Sequence, residues 1–122
     1  MHDYLHAFNP SDDAVDPDQV KVISLSAEPL NELQKVRVNI ELTPFKQLPD
    51  INFIIIDASN DVEVSSTNMI ESVLDHINFV MHIRKSLETI PGKYTLTAQV
   101  IYRDIGMVDQ KNIQFTISQN HR

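Results

Sequence analysis

From Gln19 onward the chain repeats one pattern, an apolar residue at every second position, interrupted at short intervals by turn formers. Val20 and Val22, with Leu25, open the series. Val36, Val38, Ile40 and Leu42 then alternate with Lys35, Arg37, Asn39 and Glu41, which predicts a strand with one buried and one wet face. Ile51 to Ile56 follows, held between Pro49 and Asp50 on one side and Asp57, Ser59, Asn60 and Asp61 on the other, and after it a short Val62–Val64 segment. Ile77, Phe79, Met81 and Ile83 form the next alternating set, and Tyr94, Leu96, Ala98, Val100 and Tyr102 another; these two have the strongest signals in the chain. Ile113, Phe115 and Ile117 close the series. Helical spacing occurs once, at Thr67 to Asp75, where Thr67 is placed to cap and Ile70, Val73 and Leu74 share a face. An edge strand followed by a loop is the competing assignment for that stretch. About seven strands, with no helices long enough for parallel crossovers, predict an all-β, antiparallel two-sheet sandwich.

Length adds that this is one domain: 122 residues can build one hydrophobic core and not two. Residues 1–18 stand apart, with Tyr4, Leu5 and Phe8 followed by a Pro-flanked acidic cluster, and read as an amino-terminal arm and linker ahead of a domain at 19–122. The formal net charge of -7, with basic residues scattered, argues against a nucleic-acid partner. No run approaches the roughly 18 apolar residues that span a bilayer, and the opening residues have neither a basic nor an apolar signal region. No membrane association and a cytoplasmic location are the default expectations. The absence of cysteine removes disulfides, thiolate metal sites and Cys nucleophiles.

The segment Pro91-Gly92-Lys93-Tyr94-Thr95-Leu96 resembles the start of the penultimate strand in immunoglobulin-like and fibronectin type III-like sandwiches. The resemblance is to a superfold and spans roughly residues 19 to 119. It implies an immunoglobulin-like sandwich in which Tyr94 is a structural corner, its hydroxyl bonded to backbone of the preceding connection. With no Cys pair and no Trp, the core of antibody domains is ruled out. A weaker similarity of rhythm links the turn-rich Asp57–Asp61 segment and the PGKYTL strand to carbohydrate-binding domains of bacterial polysaccharide exporters.

Motifs with chemistry are scarce. Gly92 and Gly106 are the two glycines, so neither a dinucleotide fingerprint nor a phosphate loop can be written, and no G-x-S-x-G occurs. His2 and His6 are four apart but lie in the terminal arm, and His76 and His82 read as outward residues about 20 Å apart along a strand, too far for one ion. Asp12, Asp13, Asp16 and Asp18, and separately Asp57, Asn60 and Asp61, offer oxygens to calcium, but neither set has EF-hand spacing and both suit turns. No cofactor, metal or catalytic residue is assigned, and the reading leans away from an enzyme.

One strand breaks the alternation: Ile51, Phe53 and Ile55 are apolar on one side and Ile54 and Ile56 on the other. In an immunoglobulin-like order this strand pairs with the Tyr94 strand, whose outer face carries Ile101, so Ile54, Ile56 and Ile101 are the candidate interface. A second copy in a homodimer, or Tyr4, Leu5 and Phe8 of the arm, would cover it. Three functions follow in order: a noncatalytic interaction module presenting loops or a sheet face to a protein partner, a small-ligand or carbohydrate-binding sandwich, and a hydrolase or isomerase using carboxylates or His76.

Overall fold

The computed structural model describes residues 8–32 and 34–118. Seven strands follow in order: β1 (Val22–Pro29), β2 (Lys35–Leu42), β3 (Asp50–Asp57), β4 (Val62–Met69), β5 (His76–His82), β6 (Gly92–Tyr102) and β7 (Gly106–Ile117). Short 3-10 turns occupy Pro17–Gln19 and Leu87–Thr89. The strands form two antiparallel sheets, one ordered β1-β2-β5 and the other β4-β3-β6-β7. This is the all-β, antiparallel two-sheet sandwich expected from the alternation. In constant-type immunoglobulin domains the fourth strand joins the first, second and fifth; here β4 pairs with β3 instead. Among the described residues no helix is long and apolar enough to cross a membrane.

The alternation buries itself as its period requires. Val36, Val38, Ile40 and Leu42 of β2 face Ile51, Phe53 and Ile55 of β3 and Tyr94, Leu96, Ala98 and Val100 of β6 across a continuous core. Each Val, Leu, Ile or Phe among them contributes about 1.5–3 kcal/mol by leaving water. Phe53 and Phe79 meet edge to face at 4.7 Å, joining the two sheets between β3 and β5. One lateral side of the sandwich is closed by a polar tie, where the Val22 N–H of β1 donates to Asp109 Oδ2 of β7 at 2.7 Å.

Two elements differ in extent from the sequence pattern. Thr67 to Asp75 is not a helix: its first residues continue β4 in register with β3, Thr67 opposite Phe53 and Met69 opposite Ile51. The rest is a loop pinned from several sides. The Glu71 N–H donates to Asp50 Oδ1, the Ser72 N–H to the Pro49 carbonyl, and the Asp75 carbonyl accepts from the Leu42 N–H. Glu71 stands at φ 50, a left-handed turn that no helix can continue through. β7 begins at Gly106, well before Ile113, because its first half is hydrogen-bonded to β6 through a tight hairpin. Gly106 takes φ 100 at the exit of that hairpin, where a Cβ would be strained.

The described part of the amino-terminal segment lies against the sandwich. Val15 forms a parallel bridge with Phe45, the Lys46 N–H donates to the Val15 carbonyl, and Ala14 and Pro17 are buried.

Candidate functional site

The antiparallel order brings three connections to one end of the sandwich: residues 43–49 between β2 and β3, 70–75 between β4 and β5, and 103–105 between β6 and β7. Among the described residues, at least five of the eight exposed large apolar side chains lie at this end. Ile70, Val73 and Leu74 of one loop, and Ile105 and Met107 of the β6–β7 hairpin, are each more than half exposed. Two open clefts flank them. The first, about 290 Å³, is lined by Phe8, Pro10, Pro44, Phe45, Val73 and Leu74 among others. The second, about 260 Å³, is lined chiefly by Gln47, Asp50, Glu71, Tyr102, Arg103 and Asp104. In the second, Arg103 Nε lies 3.4 Å from Asp50 Oδ2, and the Tyr102 hydroxyl donates to the Gln47 carbonyl at 2.7 Å. Burial pushes the Tyr102 hydroxyl up to about 12, so it stays protonated near neutrality and serves as a tether.

The residues singled out in the sequence fall in three places. Ile54 and Ile56 sit half-buried on the outer face of the four-stranded sheet, Ile54 between Ser66 and Thr97, Ile56 between Glu63 and Thr95. Ile101 shares that face but is paired with Asp50, farther along. Between them runs a polar ladder in which the Asn52 amide donates to Gln99 Oε1 at 3.3 Å and the Gln99 amide to Gln110 Oε1 at 3.0 Å. Phe8 is stacked on Phe45, ring centroids 5.9 Å apart, at the loop end of the molecule. Tyr4 and Leu5, like His2 and His6, lie outside the described residues.

Tyr94 is fully buried, its ring stacked on Phe115 at 5.5 Å and its hydroxyl donating to the Ile90 carbonyl in the preceding connection. Beside it is a charge pair that the sequence pattern did not reveal. Lys85 Nζ lies 2.6 Å from Asp57 Oδ2, 3.3 Å from the Tyr94 hydroxyl and 5.3 Å from the centre of the Tyr94 ring. Asp57 Oδ1 accepts from both the backbone and the hydroxyl of Ser59, at 2.9 and 2.7 Å. Asp57 is thus committed to Lys85 and to its own turn. Among the described residues no group of three or more His, Cys, Asp or Glu side chains gathers in a way that could hold a metal ion.

The hydrogen bond from Lys85, followed by those from Ser59, lowers Asp57 from 3.8 to about 2. Burial pulls Lys85 down, but Asp57 and the Tyr94 hydroxyl together hold it above its ordinary value. Both groups are therefore ionised at neutral pH and locked to each other. The consequence for stability has a definite sign. An unfolded Asp takes up its proton near pH 4 and the folded one near pH 2, so this stabilisation is complete above about pH 4 and is lost as pH falls toward 2. Its size is about 2 kcal/mol. Urea unfolding measured from pH 6 to pH 2 is expected to show that loss in the wild type and not in Asp57→Asn; equal slopes for the two proteins would refute the assignment.

No protein-family model matches the chain, and no curated protein matches it in sequence. Solved structures do resemble it. A glycosyl hydrolase family 2 member from Bacteroides cellulosilyticus superposes with a TM-score of 0.56 at 14% identity, over 80% of this chain and 14% of that one. A family 2 member from Bacteroides cellulosilyticus DSM 14838 gives a TM-score of 0.56 at 15% identity, over 80% of this chain and 15% of that one. The β-glucuronidase of Ruminococcus gnavus gives 0.48 at 16% identity, over 81% of this chain and 16% of that one. The chain spans about 14–16% of the length of these proteins, and the likeness to the first two is one of fold.

Proposed function

We propose that this chain is a noncatalytic interaction module that presents the loop end of its sandwich to a protein partner. The observation that carries the reading is the gathering of Ile70, Val73, Leu74, Ile105 and Met107 at that end, with one cleft lined mainly by apolar residues and a second lined mainly by polar ones. The charge pair with the most perturbed carboxylate, Asp57 with Lys85, lines neither cleft and is consumed by internal bonds, so it supports a structural and not a catalytic role. The family 2 likeness, confined to a small share of those enzymes, fits a sandwich that accompanies other domains.

A carbohydrate-binding sandwich is the second reading, favoured by the same likeness to a glycosyl hydrolase. Sugar sites commonly use an exposed ring as a stacking platform. Among the described residues every Phe and Tyr is buried or half-buried, which favours the protein-binding reading over this one.

The double substitution Val73→Ser with Leu74→Ser separates the two. Both residues are more than half exposed, so the fold should keep its stability within about 0.5 kcal/mol. Quantitative crosslinking in the native cell is expected to lose its specific protein adduct by about tenfold or more in the variant. Retention of the wild type on immobilised polysaccharides, with no protein adduct that depends on these residues, would overturn the proposal in favour of the sugar reading.

A further inference from the structure

Four strands lie at sheet edges, and three carry the devices that keep edges from pairing. β1 holds Glu28 and ends at Pro29, with a register shift between Val22 and Ser24. β4 holds Glu63 and adjoins a shift between Ile55 and Ile56; β7 holds Asp109 and Lys111 and adjoins one between Val100 and Ile101. Charges, prolines and bulges are the usual protection of an exposed edge. β5, His-Ile-Asn-Phe-Val-Met-His, has no Lys, Arg, Asp, Glu or Pro and pairs with β2 without a shift from His76 to His82.

Its hydrogen-bonding groups can be assigned by parity. The Ile83 N–H donates to the Gln34 carbonyl, and the Asp75 carbonyl accepts from the Leu42 N–H, so odd-numbered residues turn their backbone groups toward β2. The N–H and C=O of His76, Asn78, Val80 and His82 therefore point away from β2. None of them meets a backbone partner elsewhere among the described residues. On the inner face of the same edge, Ile77 and Met81 are buried while Phe79 is half-buried.

We propose that β5 pairs with β5 of a second copy, antiparallel about a two-fold axis at Phe79, joining the two three-stranded sheets into one. The strand reads nearly the same in both directions. In this register His76 stands opposite His82 of the second copy, Ile77 opposite its Met81, Asn78 opposite its Val80, and Phe79 opposite its own equivalent. The opposed even-numbered residues are those whose backbone groups point away from β2, so each exchanges two hydrogen bonds with its counterpart. Apolar residues meet apolar residues on the core side, and the two Phe79 rings cover each other. Charge is complementary on the outer side. Lys35 of β2 is the neighbour of His82, and Glu41 is the neighbour of His76; the two-fold therefore sets Lys35 in one row with Glu41 of the second copy, with the two histidines between them. This pairing is independent of the loop-end reading.

Sedimentation is the first test: the wild type is expected to be a dimer at tens of micromolar, and Val80→Pro a monomer. The proline removes an outward N–H that β2 does not use, so an unchanged far-ultraviolet spectrum is expected with it. The chain has no cysteine, which allows a second test of register that does not depend on the proline variant folding. His76→Cys combined with His82→Cys is expected to oxidise to a covalent dimer, while either single change gives less than a tenth as much. A wild type that stays monomeric up to about a millimolar overturns the proposal. So does a double-cysteine protein that crosslinks no better than the single ones.

Discussion

Lys85→Ala is expected to destabilise the protein by about 3–5 kcal/mol, the cost of leaving a buried charge without its partner. Asp57 is only 5% exposed, and its side chain is held by Lys85 Nζ at 2.6 Å. Without the ammonium, the carboxylate must either stay charged in a dry site or take up a proton, and both choices cost free energy. The loss should appear as a melting temperature lower by roughly 10–20 °C for a chain of this length. The replacement also empties the space over the Tyr94 ring, where Lys85 lies 5.3 Å from the centroid. A companion variant distinguishes charge from packing. Asp57→Leu with Lys85→Met removes both charges and keeps bulk, so it should be less destabilised than Lys85→Ala, although the Ser59 N–H then loses its acceptor. A Lys85→Ala protein within about 1 kcal/mol of wild type would show that the pair is solvated and dispensable.

The contrast between that pair and the strands shows what a sequence of this kind discloses. Strand faces are local: Val36 to Leu42 and Tyr94 to Tyr102 announce their buried sides by alternation, and the structure places those residues in the core. Strand ends are less legible. The first half of β7, Gly106 to Asn112, mixes charged and apolar residues and becomes a strand because β6 is hydrogen-bonded to it. Ile70, Val73 and Leu74 imitate a helical face, yet Glu71 at φ 50 and the bonds to Pro49 and Asp50 hold that stretch as a loop. Those apolar residues consequently point outward and form much of the candidate site. Asp57 and Lys85 are 28 positions apart, and neither has a local pattern that names the other. Asp57 reads as a turn former, and it is one, with Ser59 bonded to its Oδ1. Its second role exists only because the end of β3 and the connection after β5 meet beside Tyr94. The outer-face isoleucines show the reverse case: Ile54 and Ile56 stand out in the sequence, while the Asn52–Gln99–Gln110 ladder that separates them from Ile101 depends on pairing across three strands.

Phe53→Ala is expected to cost about 3–5 kcal/mol, the range for removing a large buried ring from a packed core. Phe53 is fully buried in the middle of β3, opposite Thr67 of β4 and Ala98 of β6. Ala98 is small where the ring is large, so the ring fills space that its own sheet does not, and it reaches across to Phe79 of the other sheet at 4.7 Å. An alanine there leaves a cavity beside β3, which is hydrogen-bonded to β4 on one side and β6 on the other, and that limits how far this wall can close. Phe53→Leu refills most of that volume and should recover more than half of the loss. Phe79→Ala makes a sharper comparison. Its ring touches the same neighbour but lies at the edge strand and is only half-buried, so in the monomer it should cost about 1–2 kcal/mol less than Phe53→Ala. Protein concentration then becomes informative, because a ring covered by a second copy contributes to stability only when that copy is present. If β5 pairs as proposed, the penalty for Phe79→Ala should grow from micromolar to hundreds of micromolar protein, while the penalty for Phe53→Ala changes less. Chemical denaturation of both variants and the wild type at those two concentrations reads this directly, and a Phe79→Ala penalty independent of concentration would leave the ring with a purely internal role.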